Sequence, residues 1–193
     1  MAQWVPQQRV ETHLALGARM APFGGWEMPI QYAGILAEAR AVRAGAGIFD
    51  VSHMGRVEIT GNGASLLLDR VLSSDIPGLK VGHARYGVVC NEEGGIIDDA
   101  IAYRLGEERF LLVPNAANAD AVLKWISSWV KGEDEVTVEV VTADLAMIAL
   151  QGPRAAEMLA ELAVHDLGAV RPFRAFEASV GGADALVART GYT

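Results

Sequence analysis

Residues 86–103 have the sequence YGVVCNEEGGIIDDAIAY, in which two β-rich runs flank a polar segment that contains two glycines. The first run ends at Cys90 and the second begins at Ile96. Residues 91–95 between them have the length and the glycine placement of a hairpin loop with a bulge. The sequence therefore predicts an antiparallel hairpin near the middle of the chain.

Hydrophobic periodicity predicts a strand and a helix before this hairpin, and a strand, a helix and a strand after it. These segments are, in chain order, residues 54–60, 62–72, 110–113, 116–130 and 136–141. Their order is the split βαβ pattern of a ferredoxin-like unit, which we assign to residues 52–141. We therefore predict an α+β fold.

The two ends of the chain are expected to form one further domain. Residues 1–51 contain a predicted helix at 33–44 followed by a short strand, and residues 142–193 contain a strand, a helix and two more strands. The simplest organisation is an α/β domain built from both ends, into which the ferredoxin-like unit of residues 52–141 is inserted.

Composition excludes several classes of function. The chain has 193 residues, with 24 acidic and 16 basic side chains and a net charge of −8, and 51% of its residues are hydrophobic. Because binding to phosphate backbones needs clustered Lys and Arg, we expect no nucleic-acid partner. The single cysteine, Cys90, and four scattered histidines predict no bound metal and a reducing compartment. No signal-peptide pattern or long apolar stretch occurs, so we expect a cytoplasmic protein with no membrane association.

The second strand of the hairpin carries two adjacent carboxylates, Asp98 and Asp99. Neighbouring side chains on a strand point to opposite faces, so the two acids are not expected to share a proton. We expect Asp99 to share its face with Ile97, Ile101 and Tyr103. A carboxylate on such an apolar face needs a partner, and the sequence leaves two possibilities open: an internal hydrogen bond, or a ligand-facing acid in an aromatic pocket.

Five blocks of sequence resemble one known family, in that family's order. They are LGARM at residues 16–20, GGWEMPIQY at 24–32, GIFDVSHMG at 47–55, NEEGGIIDD at 91–99 and ALQGP at 149–153. On these blocks the chain resembles the aminomethyltransferase family, the T protein of the glycine cleavage system. It is similar to the N-terminal half of that family, whose members continue into a C-terminal β-barrel domain. We therefore expect the 193-residue fragment alone to be inactive.

The resemblance implies a tetrahydrofolate-binding fold and a reaction. Family members transfer the methylene of the aminomethyl group on the lipoyl arm of the H protein to tetrahydrofolate, and ammonia is released. The implied partners are lipoylated H protein and tetrahydrofolate, the one-carbon acceptor. The second aspartate of the GGIIDD block is the functional acid of the family, and this position is Asp99 here.

The resemblance also implies folate-pocket residues by position. These are Met54, Tyr86, Tyr103, Asn115 and Tyr192. For three of them the residues alone leave another role open: Met54 as a core side chain, Tyr86 as an aromatic on the sheet face, and Asn115 as a helix cap.

Two related functions stay open at this point. Folate-dependent demethylases of the same fold share several of the five blocks. Noncatalytic folate-binding proteins of iron-sulfur cluster maintenance also resemble the transferases, but they carry a motif of the Lys-Gly-Cys-Tyr type. The corresponding segment here, residues 189–192, has the sequence RTGY and contains no cysteine, which counts against this group.

Overall fold

The computed structural model describes residues 5–6, 10–132, 135–163 and 167–191. This part of the chain is a mixed α/β fold with one large curled sheet. The strands are β1 (Val5–Pro6), β2 (Arg19–Phe23), β3 (Trp26–Gln31), β4 (Gly47–Asp50), β5 (Val57–Thr60), β6 (His83–Cys90), β7 (Ile96–Gly106), β8 (Arg109–Pro114), β9 (Thr137–Val140), β10 (Ile148–Gln151), β11 (Arg174–Val180) and β12 (Ala183–Arg189). The helices are α1 (Val10–Ala15), α2 (Ile35–Ala44), α3 (Ala64–Val71), α4 (Ala119–Trp129) and α5 (Ala155–Ala160).

Seven strands form the large sheet, in the order β12-β11-β6-β7-β8-β5-β9. Every neighbouring pair in this sheet is antiparallel. The predicted hairpin is confirmed as β6 and β7. Its second strand, β7, is the central strand of the sheet, with β6 on one edge and β8 on the other.

Helices α3 and α4 cover one face of this sheet. Apolar residues of α3 recur at positions i, i+3, i+4 and i+7, so they form a single stripe that faces the strands. The stripe packs with α4 and the sheet into one buried core. Its most buried side chains include Ile59, Leu68, Ala102, Phe110, Leu112, Val122 and Ile126.

A second, smaller core lies on the other face of the sheet. Its buried members are Ala84, Tyr103, Leu111, Val113 and Ala175. Half-buried residues from two loops, Met54 and Met147, pack against this second core. No helix residue of the described ranges belongs to this second core, and we call this side of the sheet the open face.

A buried arginine ties together the two loops that carry these methionines. Arg56 is 2% exposed, and its guanidinium donates hydrogen bonds to the carbonyl oxygens of Ser52, Met54, Thr142 and Leu145. Burial lowers the pKa of Arg56. Because the guanidinium satisfies carbonyls from two distant segments, it fixes the loop before β5 against the loop before β10.

Two predictions about local structure are wrong in detail. The strand predicted over residues 54–60 begins only at Val57, because residues 51–56 form the loop that Arg56 holds. Ile97 does not share the face of Asp99. A register irregularity between Val89 and Cys90 turns Ile97 toward the helix-side core, where it packs.

The remaining strands form two small sheets. Strands β1, β3 and β2 make a three-stranded sheet, and β4 pairs antiparallel with β10. Helix α2 precedes β4 as predicted, and the helix ends at Gly45, whose N–H donates to the Ala41 carbonyl. No helix in the described ranges has the length and apolar character needed to cross a membrane.

Candidate active site

The two adjacent aspartates lie on opposite faces of β7, as the strand alternation predicts. Asp98 is 4% exposed and faces the side covered by helices, whereas Asp99 is exposed on the open face. The Asp98 carboxylate accepts hydrogen bonds from the backbone N–H and side-chain amide of Asn115 and from the side-chain amide of Asn118. The two carboxylates therefore face opposite sides of the sheet.

Both oxygens of Asp99 have protein partners. The Tyr86 hydroxyl donates to Asp99 Oδ2 at 3.1 Å, and Asn115 Nδ2 lies 3.2 Å from Asp99 Oδ1. Val88 is directly opposite Asp99 in the β6–β7 ladder, so Tyr86 is its diagonal neighbour on the same face. The hydrogen bond to Asp99 is the main cause that raises the pKa of Tyr86 above its ordinary value.

Asn115 does not cap a helix through its side chain. It precedes a 3-10 turn at Ala116–Asn118, but its side chain makes no capping hydrogen bond. Instead, its amide nitrogen reaches the carboxylates of Asp98 and Asp99 and the backbone oxygen of Asp99. The helix-cap alternative is therefore wrong: a cap would use the side-chain oxygen of Asn115 as an acceptor, whereas here its side-chain nitrogen is directed at the two carboxylates.

The remaining predicted pocket residues differ in accessibility. Met54 is half-buried and packs against the same core as Tyr103. Tyr103 is only 5% exposed; burial raises its pKa, and a hydrogen bond to the Thr190 side chain opposes that rise. Tyr86, in contrast, is 53% exposed to solvent. Tyr192 lies outside the described residues.

Three contributors to this region were not predicted. Asn118 binds Asp98, Arg56 holds the Met54 loop, and Ser74 donates from its hydroxyl to the Tyr86 carbonyl at 2.7 Å. Gly87 allows this last contact, because a Cβ there would lie 2.2 Å from Ser74 Oγ. One sequence signal was available: Gly87 lies inside a strand, between Tyr86 and two valines, and a glycine in a strand interior often marks the close approach of another segment.

Two surface cavities lie away from these residues. Two adjoining cavities of about 500 Å³ each lie beside α4 on the helix-covered side, and Trp125 and Asn91 line both. Within the described ranges, no cluster of three or more His, Cys, Asp or Glu side chains is arranged to hold a metal ion. Asp99, Tyr86 and Asn115 lie outside both cavities.

Proteins of known activity resemble this chain over almost its whole length. An aminomethyltransferase of Rubrobacter xylanophilus is 49% identical over 185 residues, which are 95% of this chain and 49% of that protein. An aminomethyltransferase of Saccharopolyspora erythraea is 46% identical over 183 residues, which are 95% of this chain and 50% of that protein. The chain thus spans about half the length of the curated relatives it matches.

The architecture agrees with these sequence relatives. The crystal structure of glycine cleavage system aminomethyltransferase T from Bartonella henselae matches with a TM-score of 0.89 and 36% identity, over 99% of this chain and 51% of that one. A sequence model described as the GCVT N-terminal domain matches residues 10–193. The resemblance inferred from the five sequence blocks is therefore confirmed, and the chain belongs to the GCVT N-terminal domain family of aminomethyltransferases.

Proposed function

We propose that this chain carries the acid-bearing part of an aminomethyltransferase site of the glycine cleavage system. The proposed reaction moves the methylene of an aminomethyl group from the lipoyl arm of the H protein to tetrahydrofolate, with release of ammonia. The observation that carries the proposal is Asp99: an exposed carboxylate on the open face of β7, held through both oxygens by Tyr86 and Asn115.

The residues around Asp99 suit a flat, nitrogen-rich acceptor such as tetrahydrofolate. Tyr86 offers an exposed aromatic ring, and Met54 offers a polarizable thioether at the edge of the second core. We assign Met54, Tyr86, Tyr103 and Asn115 to the pterin-binding surface, with the buried Tyr103 as part of its floor. Tyr192 belongs to the same assignment through its family position alone.

Asp99 would act by stabilising positive charge on the acceptor and by accepting a proton from it. An ionised carboxylate accepts hydrogen bonds from ring N–H groups and stabilises positive charge that develops on a neighbouring nitrogen. It also accepts a proton from the nitrogen that forms the new bond to carbon. The Tyr86 and Asn115 donors fix the direction of the carboxylate, so little reorganisation is needed when the acceptor binds.

The proposal extends to organisation and partners. The strands β7, β8, β5 and β9 with helices α3 and α4 support a ferredoxin-like unit at residues 52–141, inserted into a folate-binding domain of residues 1–51 and 142–193. In the large sheet, β5 and β7 are separated by β8, as the split βαβ pattern requires.

The partner is lipoylated H protein, and a cytoplasmic location fits the single cysteine.

The test is a transfer assay with tetrahydrofolate and aminomethylated H protein, in which methylene-tetrahydrofolate and ammonia are measured. Because the 193-residue fragment alone is expected to be inactive, the assayed protein joins this chain to the C-terminal domain of an aminomethyltransferase relative. We expect Asp99→Asn to lower turnover by about 10²- to 10⁴-fold, the range typical of a positioned acid or base. Asp184→Asn is the matched control, because Asp184 is an exposed aspartate on β12. Equal turnover in the two variants contradicts the assignment of Asp99, and turnover of a methylated amine in place of the H-protein substrate contradicts the proposed reaction.

A further inference from the structure

We propose that Asp98 is a positioning residue, which orients the Asn115 amide so that it donates to Asp99. This inference rests on the proposed function, because it assigns Asp98 a part in the same reaction. Asp98 does not reach the open face of β7. It acts through Asn115, the one side chain among the described residues that is bonded to both carboxylates.

Three short hydrogen bonds define the environment of Asp98. Its Oδ2 accepts from the Asn115 backbone N–H at 2.7 Å, and its Oδ1 accepts from Asn115 Nδ2 at 3.0 Å and from Asn118 Nδ2 at 2.7 Å. All three donors are neutral and come from the segment between β8 and α4. A carboxylate buried to this extent costs several kcal/mol unless its oxygens are bonded, on the order-of-magnitude scale for buried ions. The segment is therefore held to β7 at one point.

The two carboxylates together decide which end of the Asn115 amide faces them. Carboxylate and carbonyl oxygens only accept hydrogen bonds, so the amide nitrogen must point toward both aspartates. Asn115 Nδ2 lies 3.0 Å from Asp98 Oδ1, 3.1 Å from the Asp99 carbonyl oxygen and 3.2 Å from Asp99 Oδ1. If Asp98 no longer accepted, the side chain would lose its closest acceptor and its fixed rotamer.

Asn118 provides the contrast between a positioning role and a purely structural one. Asn118 and Asn115 each donate a side-chain amide hydrogen bond to the same oxygen of Asp98. No hydrogen bond connects Asn118 to Asp99 in the described part of the chain. Loss of the Asn118 amide thus removes a comparable anchor of the segment without removing a donor to Asp99.

The first experiment compares kcat and KM in the transfer assay for Asp98→Asn, Asn115→Ala, their double variant, and Asn118→Ala. A displacement of about 1 Å at a reacting group is worth up to about 10²-fold in rate. We expect Asp98→Asn and Asn115→Ala each to lower kcat by about 10- to 100-fold, and the double variant to fall no further than the lower single variant. We expect Asn118→Ala to lower kcat by less than about threefold.

Equal losses from Asn115→Ala and Asn118→Ala would overturn the proposal, because the segment would then act only as a structural anchor. Fully additive losses in the double variant would also overturn it, since Asp98 would not act through Asn115. If Asp98→Asn fails to fold, equal losses from Asn115→Ala and Asn118→Ala still overturn the proposal. A wild-type protein that transfers no aminomethyl group contradicts the proposed function instead.

A second readout does not depend on activity. In the ¹⁵N-labelled protein, the Asn115 side-chain amide signals report its hydrogen bonds to both carboxylates. We expect these signals to move toward the positions of a solvent-exposed asparagine in Asp98→Asn, and to stay in place in Asp184→Asn. Unmoved Asn115 signals in a folded Asp98→Asn protein would refute the positioning role, whatever the outcome of the transfer assay.

Discussion

At the scale of single residues, Tyr86 combines two roles that substitution can separate. Its hydroxyl donates to Asp99, while its ring is 53% exposed on the open face. We expect Tyr86→Phe to keep the tetrahydrofolate dissociation constant within about threefold of wild type, because the ring remains. We expect Tyr86→Ala to raise the constant by about two- to tenfold, the equivalent of roughly 0.5–1.5 kcal/mol for an aromatic contact. Isothermal titration measures both.

The melting temperature is the control for Tyr86. Since the side chain is half exposed, neither substitution is expected to lower thermal stability greatly. A large fall in melting temperature with unchanged affinity would identify Tyr86 as a core residue, contrary to its assignment to the pterin-binding surface.

A second prediction at this scale concerns His53 and pH. Burial lowers the pKa of His53; Arg56 adds to this effect, and Asp50 opposes it. The ring packs edge-on against Phe23, with centroids 5.9 Å apart. Because the folded pKa is below the unfolded value of about 6.5, the unfolded chain binds more protons and stability rises with pH. The stability that depends on a neutral His53 ring is fully present above about pH 6.5, and it is lost as the pH falls through the folded pKa.

We therefore expect the wild-type melting temperature to fall more steeply than that of His53→Asn between about pH 7.5 and pH 5.5. Both proteins retain the other histidines and carboxylates, so the difference between the two curves isolates His53. Parallel curves in a folded variant would show that His53 carries no pH-dependent stability.

At the scale of elements, local sequence patterns predicted individual strands and helices, but they did not predict contacts between distant segments. The β6–β7 hairpin follows from two β-rich runs around a glycine-containing loop, and α3 follows from its apolar stripe. The partner of Asn115 could not be predicted in this way, because an asparagine before a helix can cap it through the side-chain oxygen or bind a carboxylate through the side-chain nitrogen, and no local pattern distinguishes the two. Likewise, Arg56 binds carbonyls that are up to 89 residues away, which no short-range pattern reveals.

The same distinction applies to the candidate site. Strand alternation alone placed Asp99 on the face of β7 opposite Asp98 and together with Ile101 and Tyr103, although it assigned Ile97 to the wrong side. The bulge that displaces Ile97 depends on the register of β6 against β7, which is set by pairing along the whole hairpin. The folate-binding roles of Met54 and Tyr86 could be predicted only from the family resemblance, since neither residue type at those positions indicates a folate site by itself.

Glycine substitutions test how the elements pack. Gly61 joins β5 to α3 with φ at +110°, and a Cβ there would lie 1.9 Å from the Glu135 carbonyl oxygen. Gly94 in the hairpin loop has φ at +79°, with nothing within 4 Å of an added Cβ. Gly94→Ala is therefore expected to lower the free energy of unfolding only by the cost of a left-handed backbone at alanine, about 1–2 kcal/mol. Gly61→Ala adds a clash with the backbone that leads into β9, so we expect a clearly larger loss of unfolding free energy.

Urea denaturation of both variants measures this difference. Equal losses for Gly61→Ala and Gly94→Ala would mean that the segment before β9 moves away at little cost, and that its packing against the β5–α3 turn contributes little to stability.

At the scale of the whole molecule, the large sheet continues from the hairpin into the C-terminal part of the chain. Strands β11 and β12 extend it beyond β6, and the link between β11 and β6 is a single paired position, Arg174 with His83. Two further backbone hydrogen bonds, from Ala84 to Phe173 and from Ala175 to Gly82, strengthen it. The proposed boundary at residue 142 is thus crossed by hydrogen bonds, and the two regions are coupled through β6.

Burial is distributed very unevenly along the chain. The helix-side core draws all of its buried members from residues 57–126. Among the described residues before position 51, Met28 is the one buried apolar side chain. Several large apolar side chains outside the central region are exposed instead, namely Leu16, Ile35, Leu36, Ile48, Ile148 and Leu162. Because apolar burial is the main stabilising contribution, the central region is expected to hold most of the stability of this chain.

Native-state hydrogen exchange of this chain tests that expectation. We expect the amides of β5, β7 and β8 to exchange only through global unfolding, since these strands have neighbours on both edges and a buried core on one face. The amides of α2 and α5, neither of which contains a buried residue, should exchange faster by at least about two orders of magnitude through local opening. Those of β11 should be intermediate, because a short ladder connects it to β6. Uniform protection from α2 to β12 would contradict this order, and it would show that the flanking segments unfold together with the central sheet.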